Sequence, residues 1–213
     1  MAFHRDPESM KRFYDGFHPW YRFVEGNTGR SNAAALSVLD PDGSRFAQDS
    51  ILEHCCGTGS LALEIAPRCA SYAGRDQSEG MLGRARQRWN ARFGAGTSAP
   101  FKSESVLDFA DPSGSVDWVA ISFALHLFPP ADEEGILGSF LKAARKGAFV
   151  IEHTTSFSPF LSLVEAAEGS WYESYKRIDF PAMAQRLGTS FIEREIKGAR
   201  VMEFLKGTRN NDL

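Results

Sequence analysis

Short apolar runs alternate with helical patterns along the middle of this 213-residue chain. Each run ends at a turn or a polar residue, which is typical of buried strands. The run Val116–Ser122 is almost continuously apolar, as expected at the centre of a parallel sheet. The predicted strands are Ser50–Glu53, Ala70–Arg75, Phe101–Val106, Val116–Ser122 and Ala148–His153. Strands that alternate with helices in this way predict an α/β protein with a parallel sheet.

The last part of the chain shows a different pattern. Phe191–Ile196 and Arg200–Leu205 alternate apolar and polar residues, so they predict an antiparallel hairpin. With the five earlier strands, the hairpin would complete a mostly parallel sheet of seven strands. The predicted helices of the core and of the last part are Gly59–Pro67, Met81–Arg92, Glu133–Arg145, Ser162–Tyr175 and Asp179–Leu187.

The segment Pro7–Leu39 has a helical pattern, and Asp6 followed by Pro7 is a helix start signal. Pro19 interrupts the pattern, so two helices are predicted. The segment carries an aromatic cluster made of Phe13, Tyr14, Phe17, His18, Trp20, Tyr21 and Phe23. Most of these rings are expected to pack the segment onto the domain. Two further hypotheses are that Tyr14 and Tyr21 close over bound ligands, and that exposed rings with nearby basic residues contact a membrane surface.

A glycine turn lies between the first strand and the first core helix. Gly57 and Gly59 let the backbone turn sharply and approach a ligand closely, and the helix that follows presents free N–H groups there. The second strand ends at Asp76. A carboxylate at the end of the strand beside such a turn is well placed to accept hydrogen bonds from a ribose.

Two motifs resemble those of class I S-adenosylmethionine (SAM) dependent methyltransferases. Leu52-Glu53-x-Cys55-Cys56-Gly57-Thr58-Gly59 resembles their first motif, with Cys55 where the family has its first glycine. Gly74-x-Asp76-x-Ser78-x-x-Met81-Leu82 resembles their second motif. The nicotinamide-binding fingerprint needs three glycines, and this turn has only two. The resemblance implies a three-layer α/β/α, Rossmann-like methyltransferase fold.

The resemblance also implies that SAM is the cofactor and S-adenosylhomocysteine (SAH) the product. Glu53 would lie near the methionine end of SAM, Asp76 would bind the ribose hydroxyls, and Ser105 stands where the family has an acid for the adenine amino group. The candidate cofactor-binding residues are Tyr14, Tyr21, Glu53, Cys55, Gly57, Thr58, Gly59, Asp76, Gln77, Met81, Ser105, Val106 and Ser122. A side chain at position 55 could crowd the methionine carboxylate or shift the backbone.

Three further stretches resemble the quinone-biosynthesis (UbiE-like) methyltransferases. They are Phe13-Tyr14-Asp15 with Trp20-Tyr21, the run from Tyr172 to Pro181, and the closing Glu203-Phe204-x-Lys206-Gly207. The implied acceptor is a small molecule or lipid, with a quinone-like ring carbon favoured. The alternatives are a phospholipid (phosphatidylethanolamine) N-methyltransferase and a SAM-binding protein without methyltransferase activity. The fourth strand is not followed by the Asn/Asp-Pro-Pro-aromatic motif of enzymes that methylate bases or amides, which argues against those substrates.

The candidate catalytic residues are His126, His153 and Tyr21. The two histidines follow the fourth and fifth strands, where ligands of open α/β sheets bind, so either is a candidate general base. The other hypothesis is that they are pocket-wall or loop residues. No metal site is predicted, because the three consecutive residues His54, Cys55 and Cys56 are poorly spaced to converge on one ion.

Composition narrows the class of protein. The net charge of −3 gives no electrostatic case for nucleic acid as a partner. Three cysteines give no disulfide framework, and no signal peptide or membrane span is recognisable, so a cytoplasmic protein is expected, with peripheral membrane contact as a further possibility. The expected organisation is one methyltransferase domain over 1–213, with a helical lid (1–39), a SAM-binding core (50–153) and substrate-side helices with the hairpin (154–213). The oligomeric state is not predicted.

Overall fold

The structure is a computed structural model that describes residues 6–19, 21–154, 165–166 and 168–207, without the side chains of 22–24. Within this part of the chain seven strands and seven α-helices are defined. The strands are β1 (Ser50–His54), β2 (Ser71–Asp76), β3 (Phe101–Ser103), β4 (Val116–Ser122), β5 (Ala144–Glu152), β6 (Ser190–Ile196) and β7 (Ala199–Leu205). The helices are α1 (Pro7–Phe17), α2 (Arg22–Leu39), α3 (Ala62–Ile65), α4 (Glu79–Phe93), α5 (Pro130–Ala143), α6 (Tyr172–Tyr175) and α7 (Phe180–Arg186).

The seven strands form one sheet in the order β3-β2-β1-β4-β5-β7-β6. Strands β1 to β5 are parallel, and β7 is antiparallel to both of its neighbours, β5 and β6. The predicted fold class, with its mostly parallel sheet and carboxyl-terminal hairpin, is therefore confirmed. The strand order reverses beside β1, because β2 lies on one side of it and β4 on the other. Ligands of open α/β sheets bind at such a reversal, outside the carboxyl ends of the strands.

Both faces of the sheet are covered by helices. Successive strand residues point to opposite faces, so Ile51 packs with α2 and α3 while Leu52 packs with α5 and α7. The two layers of apolar side chains make a three-layer α/β/α core. The largest fully buried side chains include Phe46 and Phe149 on one face and Phe140 and Phe204 on the other.

The amino-terminal segment forms two helices, as predicted. Asp6 caps α1 by accepting a hydrogen bond from the Ser9 N–H at 2.9 Å. Helix α2 then places Ala35, Leu36 and Leu39 in the core. The second half of α2 is therefore part of the packed domain, because its apolar side chains cover the sheet. That the remaining part of the segment acts as a lid stays a prediction. Trp20 lies outside the described residues.

Several predicted boundaries differ from the structure. Strand β3 ends at Ser103, because the Ser105 hydroxyl accepts a hydrogen bond from the Leu107 N–H and starts a tight turn there. Helix α5 ends at Ala143, and β5 begins at the next residue, earlier than the predicted Ala148. The first core helix is shorter than predicted and ends in a 3-10 turn, Ala66–Arg68. Of the predicted helix Ser162–Tyr175, residues 162–164 and 167 lie outside the described part.

None of the helices in the described ranges is long and apolar enough to span a membrane.

Candidate functional site

A cavity of about 390 Å³ lies at the carboxyl ends of β1, β2 and β4. This volume falls in the range of roughly 300–1,000 Å³ that is usual for small-molecule sites. The side chains and backbone that line it come from α1, the glycine turn, the end of β2, the residues after β4 and Trp171. The lining residues are Asp6, Pro7, Met10, Lys11, Tyr14, Tyr21, Thr28, Cys55, Cys56, Gly57, Thr58, Ser60, Asp76, Gln77, Ser78, Met81, Ser122, Phe123, Ala124, Leu127, Phe128, Pro129, Asp132 and Trp171.

The glycine turn forms the floor of one half of the cavity. Gly57 and Gly59 have φ angles of 53° and 73°, in the left-handed region that glycine adopts easily. The Gly59 N–H donates to the Cys56 carbonyl at 2.8 Å, which closes the turn. The Gly57 N–H donates to a carboxylate oxygen of Asp76 at 2.8 Å. The turn and the end of β2 are thus joined directly.

The Asp76 carboxylate bonds to the backbone on both sides of this junction. One carboxylate oxygen accepts the Gly57 N–H and the other accepts the Ser78 N–H, each at 2.8 Å. Burial raises the pKa of Asp76 to about 6, although both backbone bonds oppose the rise. Each oxygen still has a lone pair free for a further donor. Asp76 therefore lines the cavity as a fixed, largely ionised acceptor at neutral pH.

Glu53 lies behind the cavity wall rather than in it. Its carboxyl group is buried and receives hydrogen bonds from the hydroxyls of Tyr72 and Ser122. Burial raises the pKa of Glu53 to about 8, so the group is mostly neutral at pH 7. Of Glu53 and Ser122, only Ser122 lines the cavity. In this arrangement Glu53 orients the Ser122 hydroxyl.

Glu53 makes the stability of the fold depend on pH. Its folded-state pKa, about 8, lies above the ordinary carboxyl value of 4.5, so unfolding releases a proton between these two pH values. Stability then falls as pH rises, by on the order of 1.4 kcal/mol per pH unit for this group. Glu53→Gln mimics the neutral acid and should remove that slope. Urea unfolding at several pH values between 5 and 8 measures it as the difference between wild type and variant.

Glu195→Gln is the matched control for this measurement, because Glu195 is exposed on β6. It should leave the pH dependence of the free energy of unfolding unchanged. An identical slope in wild type and Glu53→Gln would show that Glu53 ionises normally in the folded protein.

Cys55 occupies the first position of the turn, where its side chain lines the cavity. Its φ angle is 53°, which an L residue with a β-carbon adopts at a cost of about 1–2 kcal/mol. Burial raises the pKa of the Cys55 thiol well above its ordinary value, so the group is a neutral thiol. The backbone at Cys55 therefore has a left-handed conformation that glycine adopts more easily, and the β-carbon of Cys55 makes this conformation strained.

Substituting Cys55 tests this strain. Cys55→Gly should give a higher free energy of unfolding than Cys55→Ala by about 1 kcal/mol, because only glycine relieves the left-handed backbone. Both variants lose the sulfur, so their difference isolates the effect of the β-carbon. Chemical unfolding of the two variants measures it. A more stable alanine variant would contradict the strained conformation.

Helix α1 covers the cavity and docks on the start of α4. The Asp15 carboxylate accepts hydrogen bonds from the Ser78 hydroxyl at 2.6 Å and from the Gly80 N–H at 3.3 Å. On the same helix, the Tyr14 hydroxyl donates to Glu168 at 3.0 Å. These bonds fix α1 on two sides, with Met10 and Tyr14 turned to the cavity.

The half of the cavity beyond the glycine turn is mainly apolar. Phe123, which has a φ angle of 51°, begins the segment after β4, and Ala124, Leu127 and Phe128 follow it along the wall. Trp171 completes this wall, and its backbone N–H donates to the His126 carbonyl at 2.8 Å. We call these five residues the apolar wall.

The predicted catalytic histidines lie outside the cavity lining. His126 is only 2% exposed, with Nδ1 2.7 Å from Glu152. Burial opposes its charged form, but Glu152 and Glu165 raise the pKa of His126 well above its usual value. A protonated imidazole cannot accept a proton, so this geometry does not favour His126 as a general base. The His153 ring packs against Phe123, with ring centroids 4.8 Å apart.

The other predicted site residues divide into two groups. Those that line the cavity are Tyr14, Tyr21, Cys55, Gly57, Thr58, Asp76, Gln77, Met81 and Ser122. Those placed outside its lining are Glu53, Gly59, Ser105 and Val106. Gly59 shapes the turn, and Ser105 and Val106 belong to the turn after β3. Cys55 and Cys56 both line the cavity, whereas the buried His54 stacks on Phe140 in the core.

The comparisons with known proteins agree with this geometry. Residues 51–147, which hold the glycine turn and β1 to β4, match the family model described as a methyltransferase domain. This stretch, a little under half of the chain, is therefore similar to a methyltransferase domain. The predicted enzyme class is confirmed at that level, and the match does not distinguish the UbiE-like subgroup. A search of curated protein sequences gives no match to the chain.

Solved structures of methyltransferases have a fold similar to that of this chain. Magnesium protoporphyrin IX methyltransferase from Synechocystis PCC 6803, with bound SAH, has a TM-score of 0.72 and 18% identity, covering 95% of this chain and all of that one. A SAM-dependent methyltransferase from Aquifex aeolicus has a TM-score of 0.61 and 14% identity, covering 94% of this chain and 98% of that one. At such identities the likeness concerns the fold.

Proposed function

We propose that the chain transfers a methyl group from SAM to a small-molecule or lipid acceptor, with a quinone-like ring carbon as the favoured target and SAH as the second product. The observation that carries the proposal is the position of the cavity. It joins the Asp76 junction and glycine turn at one end to the apolar wall at the other. A polar cofactor and an apolar acceptor would then meet between Cys55 and Phe123.

The chain's own residues fit SAM in the first half of the cavity. Asp76 has free lone pairs and is held by two backbone N–H groups, so it can accept hydrogen bonds from the ribose hydroxyls. Gly57 lets the backbone approach the methionine end closely, and Ser122 offers a hydroxyl there. Gln77 and Met81 lie in the lining next to Asp76 and would border the adenine.

The apolar wall favours an uncharged ring as the acceptor. Its side chains offer no charge, and Lys11 is the one cationic side chain among the described residues that line the cavity. Lys11 is already paired with Asp15 at 2.9 Å, which leaves little to bind a phosphate headgroup. The structurally similar Synechocystis enzyme is named as a magnesium protoporphyrin IX methyltransferase.

The role of the protein in such a transfer is positioning and exclusion of water. SAM supplies a methyl group on a sulfonium, which the acceptor takes by in-line displacement. The chain must hold the acceptor carbon about 3 Å from that methyl group and keep water away. Helix α1 and the apolar wall enclose the space, and Tyr21 is the predicted catalytic residue that lines it. Burial raises the pKa of Tyr21 well above its usual value, so its hydroxyl is a hydrogen-bond donor at neutral pH.

The proposal is tested by incubating the protein with SAM and a panel of hydroquinones, naphthols and phenols, and measuring SAH and methylated product by mass spectrometry. Vesicles of phosphatidylethanolamine are the competing acceptor. We expect SAH to form in amounts that match a C-methylated ring. Transfer only to the vesicles would replace the proposal with lipid N-methylation. Tight SAM binding without SAH from any acceptor would contradict a methyltransferase of this acceptor class.

Leu127→Gln makes the test specific to the apolar wall. It should raise the KM for the ring acceptor without weakening SAM binding. Leu107→Gln is the matched control, because Leu107 is 44% exposed in the turn after β3. Equal effects of both variants would argue that the wall does not hold the acceptor.

A further inference from the structure

Two histidines and a glutamate converge beside the apolar wall. His126, His153 and Glu165 each offer one ligand atom, and these atoms all lie within 4.8 Å of one another. His126 follows β4, His153 follows β5, and Glu165 comes from the segment before α6. The sequence does not predict this cluster, because the three residues are far apart in the chain.

The spacing of the ligand atoms suits a small divalent metal ion. His126 Nε2 lies 3.1 Å from one carboxylate oxygen of Glu165, and His153 Nε2 lies 3.5 Å from the other. Bonds of about 2.0–2.2 Å in a tetrahedral zinc site place neighbouring ligand atoms roughly 3.4 Å apart. Both measured separations are close to that value.

The orientation of these groups also points to a common ligand. The Glu165 oxygen nearest His126 is buried but has no hydrogen-bond partner of regular geometry among the described residues. His126 Nε2 lies 3.1 Å from this oxygen. A metal ion that binds here would displace the proton of His126, so that the freed Nε2 lone pair and the Glu165 oxygen would both bind the ion.

The surroundings of the cluster resemble the support that metal ligands receive. Glu152 lies 2.7 Å from His126 Nδ1, on the side of the ring opposite Glu165. Metal-bound histidines usually donate their other N–H to a carboxylate in this way, which fixes the tautomer and orients the ring. Two buried carboxylates, Glu152 and Glu165, face His126 from opposite sides of its ring, so a bound cation would lie next to groups of opposite charge.

We propose that His126, His153 and Glu165 bind one divalent transition-metal ion of the zinc class, with Glu152 orienting His126. Two histidines and one glutamate are a known zinc donor set and leave a fourth position for water. The ion would tie together the segments after β4 and β5 and the segment that leads to Trp171. All three segments border the apolar wall, through Phe123, Leu127 and Trp171, so the metal would stabilise the shape of that wall.

The test uses the full chain without an affinity tag, in the absence of SAM and acceptor, so it is independent of the proposed methyl transfer. Zn²⁺ is titrated by calorimetry, and Co²⁺ by its visible absorption, which is intense in tetrahedral sites. We expect one ion per chain and a higher Tm with Zn²⁺. His153→Asn should abolish tight binding, and Glu152→Gln should weaken it about 10–100-fold.

His18→Asn is the matched control, because His18 is bonded to the Asp15 carbonyl on α1, outside the cluster. It should bind Zn²⁺ as the wild type does. Circular dichroism checks that each variant folds. His153 is only half-buried, so His153→Asn is the deciding variant if Glu165→Gln does not fold.

Three results would overturn the proposal. They are no Zn²⁺ binding by the folded wild type, unchanged binding in His153→Asn, and binding that is lost in Cys55→Ala or Cys69→Ser while His153→Asn retains it. In any of these cases the cluster is a buried ion-pair network without a metal.

Discussion

Asp76→Asn is expected to weaken SAM binding about 100-fold. Asp76 accepts two backbone N–H groups already, and the ribose hydroxyls would add two further donors to the same carboxylate. A hydrogen bond to a charged group contributes roughly 1.5–3 kcal/mol, and a loss of about 3 kcal/mol corresponds to about 100-fold in affinity. The asparagine amide also points an N–H₂ group at one of the two backbone donors. Calorimetric titration with SAM measures the change.

Asp42→Asn is the control for this substitution. Asp42 is exposed in the turn before β1, at the opposite edge of the sheet, where it accepts the Ser44 N–H at 3.1 Å. The same chemical change there should leave the SAM affinity as it is in the wild type. Unchanged affinity in Asp76→Asn would mean that the ribose is held elsewhere and that Asp76 only shapes the turn.

Gly57→Ala is expected to lower the SAM affinity by at least about tenfold, or 1.4 kcal/mol. A β-carbon at position 57 meets no other atom within 4 Å, so the folded chain has room for it. The room is at the wall of the cavity, where the added methyl group would keep the methionine end of SAM away from the backbone. The positive φ angle adds a loss of about 1–2 kcal/mol in folding stability.

Gly43→Ala separates these two effects. Gly43 has a φ angle of 75° and equally open space around its β-carbon position, but it lies in the turn before β1. It should lose similar stability and bind SAM normally. If both alanine variants lose the same affinity, the loss comes from strain in the fold and not from the cavity wall. Tm and SAM titration of both variants decide between these outcomes.

The residues of the cavity half beside the glycine turn were largely predictable from the sequence, and the reason is local. The turn between β1 and α3 depends on backbone angles that only certain residues adopt easily, and Asp76 follows a strand whose apolar residues define its place. Both features depend on residues that are consecutive in the chain. Cys55 also has a left-handed backbone angle, which glycine adopts more easily than cysteine.

The cavity half beside the apolar wall was much less predictable. The docking of α1 depends on Asp15 meeting Ser78, and the apolar wall depends on Trp171 reaching the segment after β4. Such contacts join residues that are distant in the chain, and no local pattern specifies them. The position of His126 shows the same difficulty. Its place after β4 suggests a catalytic base, but the partners that hold it away from the cavity come from β5 and from Glu165.

The docking of α1 has a kinetic consequence. Asp15 bonds to Ser78, and Ser78 is bonded in turn to Asp76, the residue proposed to hold the ribose. The same helix is bonded to Glu168 through the Tyr14 hydroxyl. If cofactor and acceptor bind as proposed, both would lie under α1, and exchange of either would require α1 to move. Release of the two products, rather than methyl transfer itself, would then be the rate-limiting step of turnover.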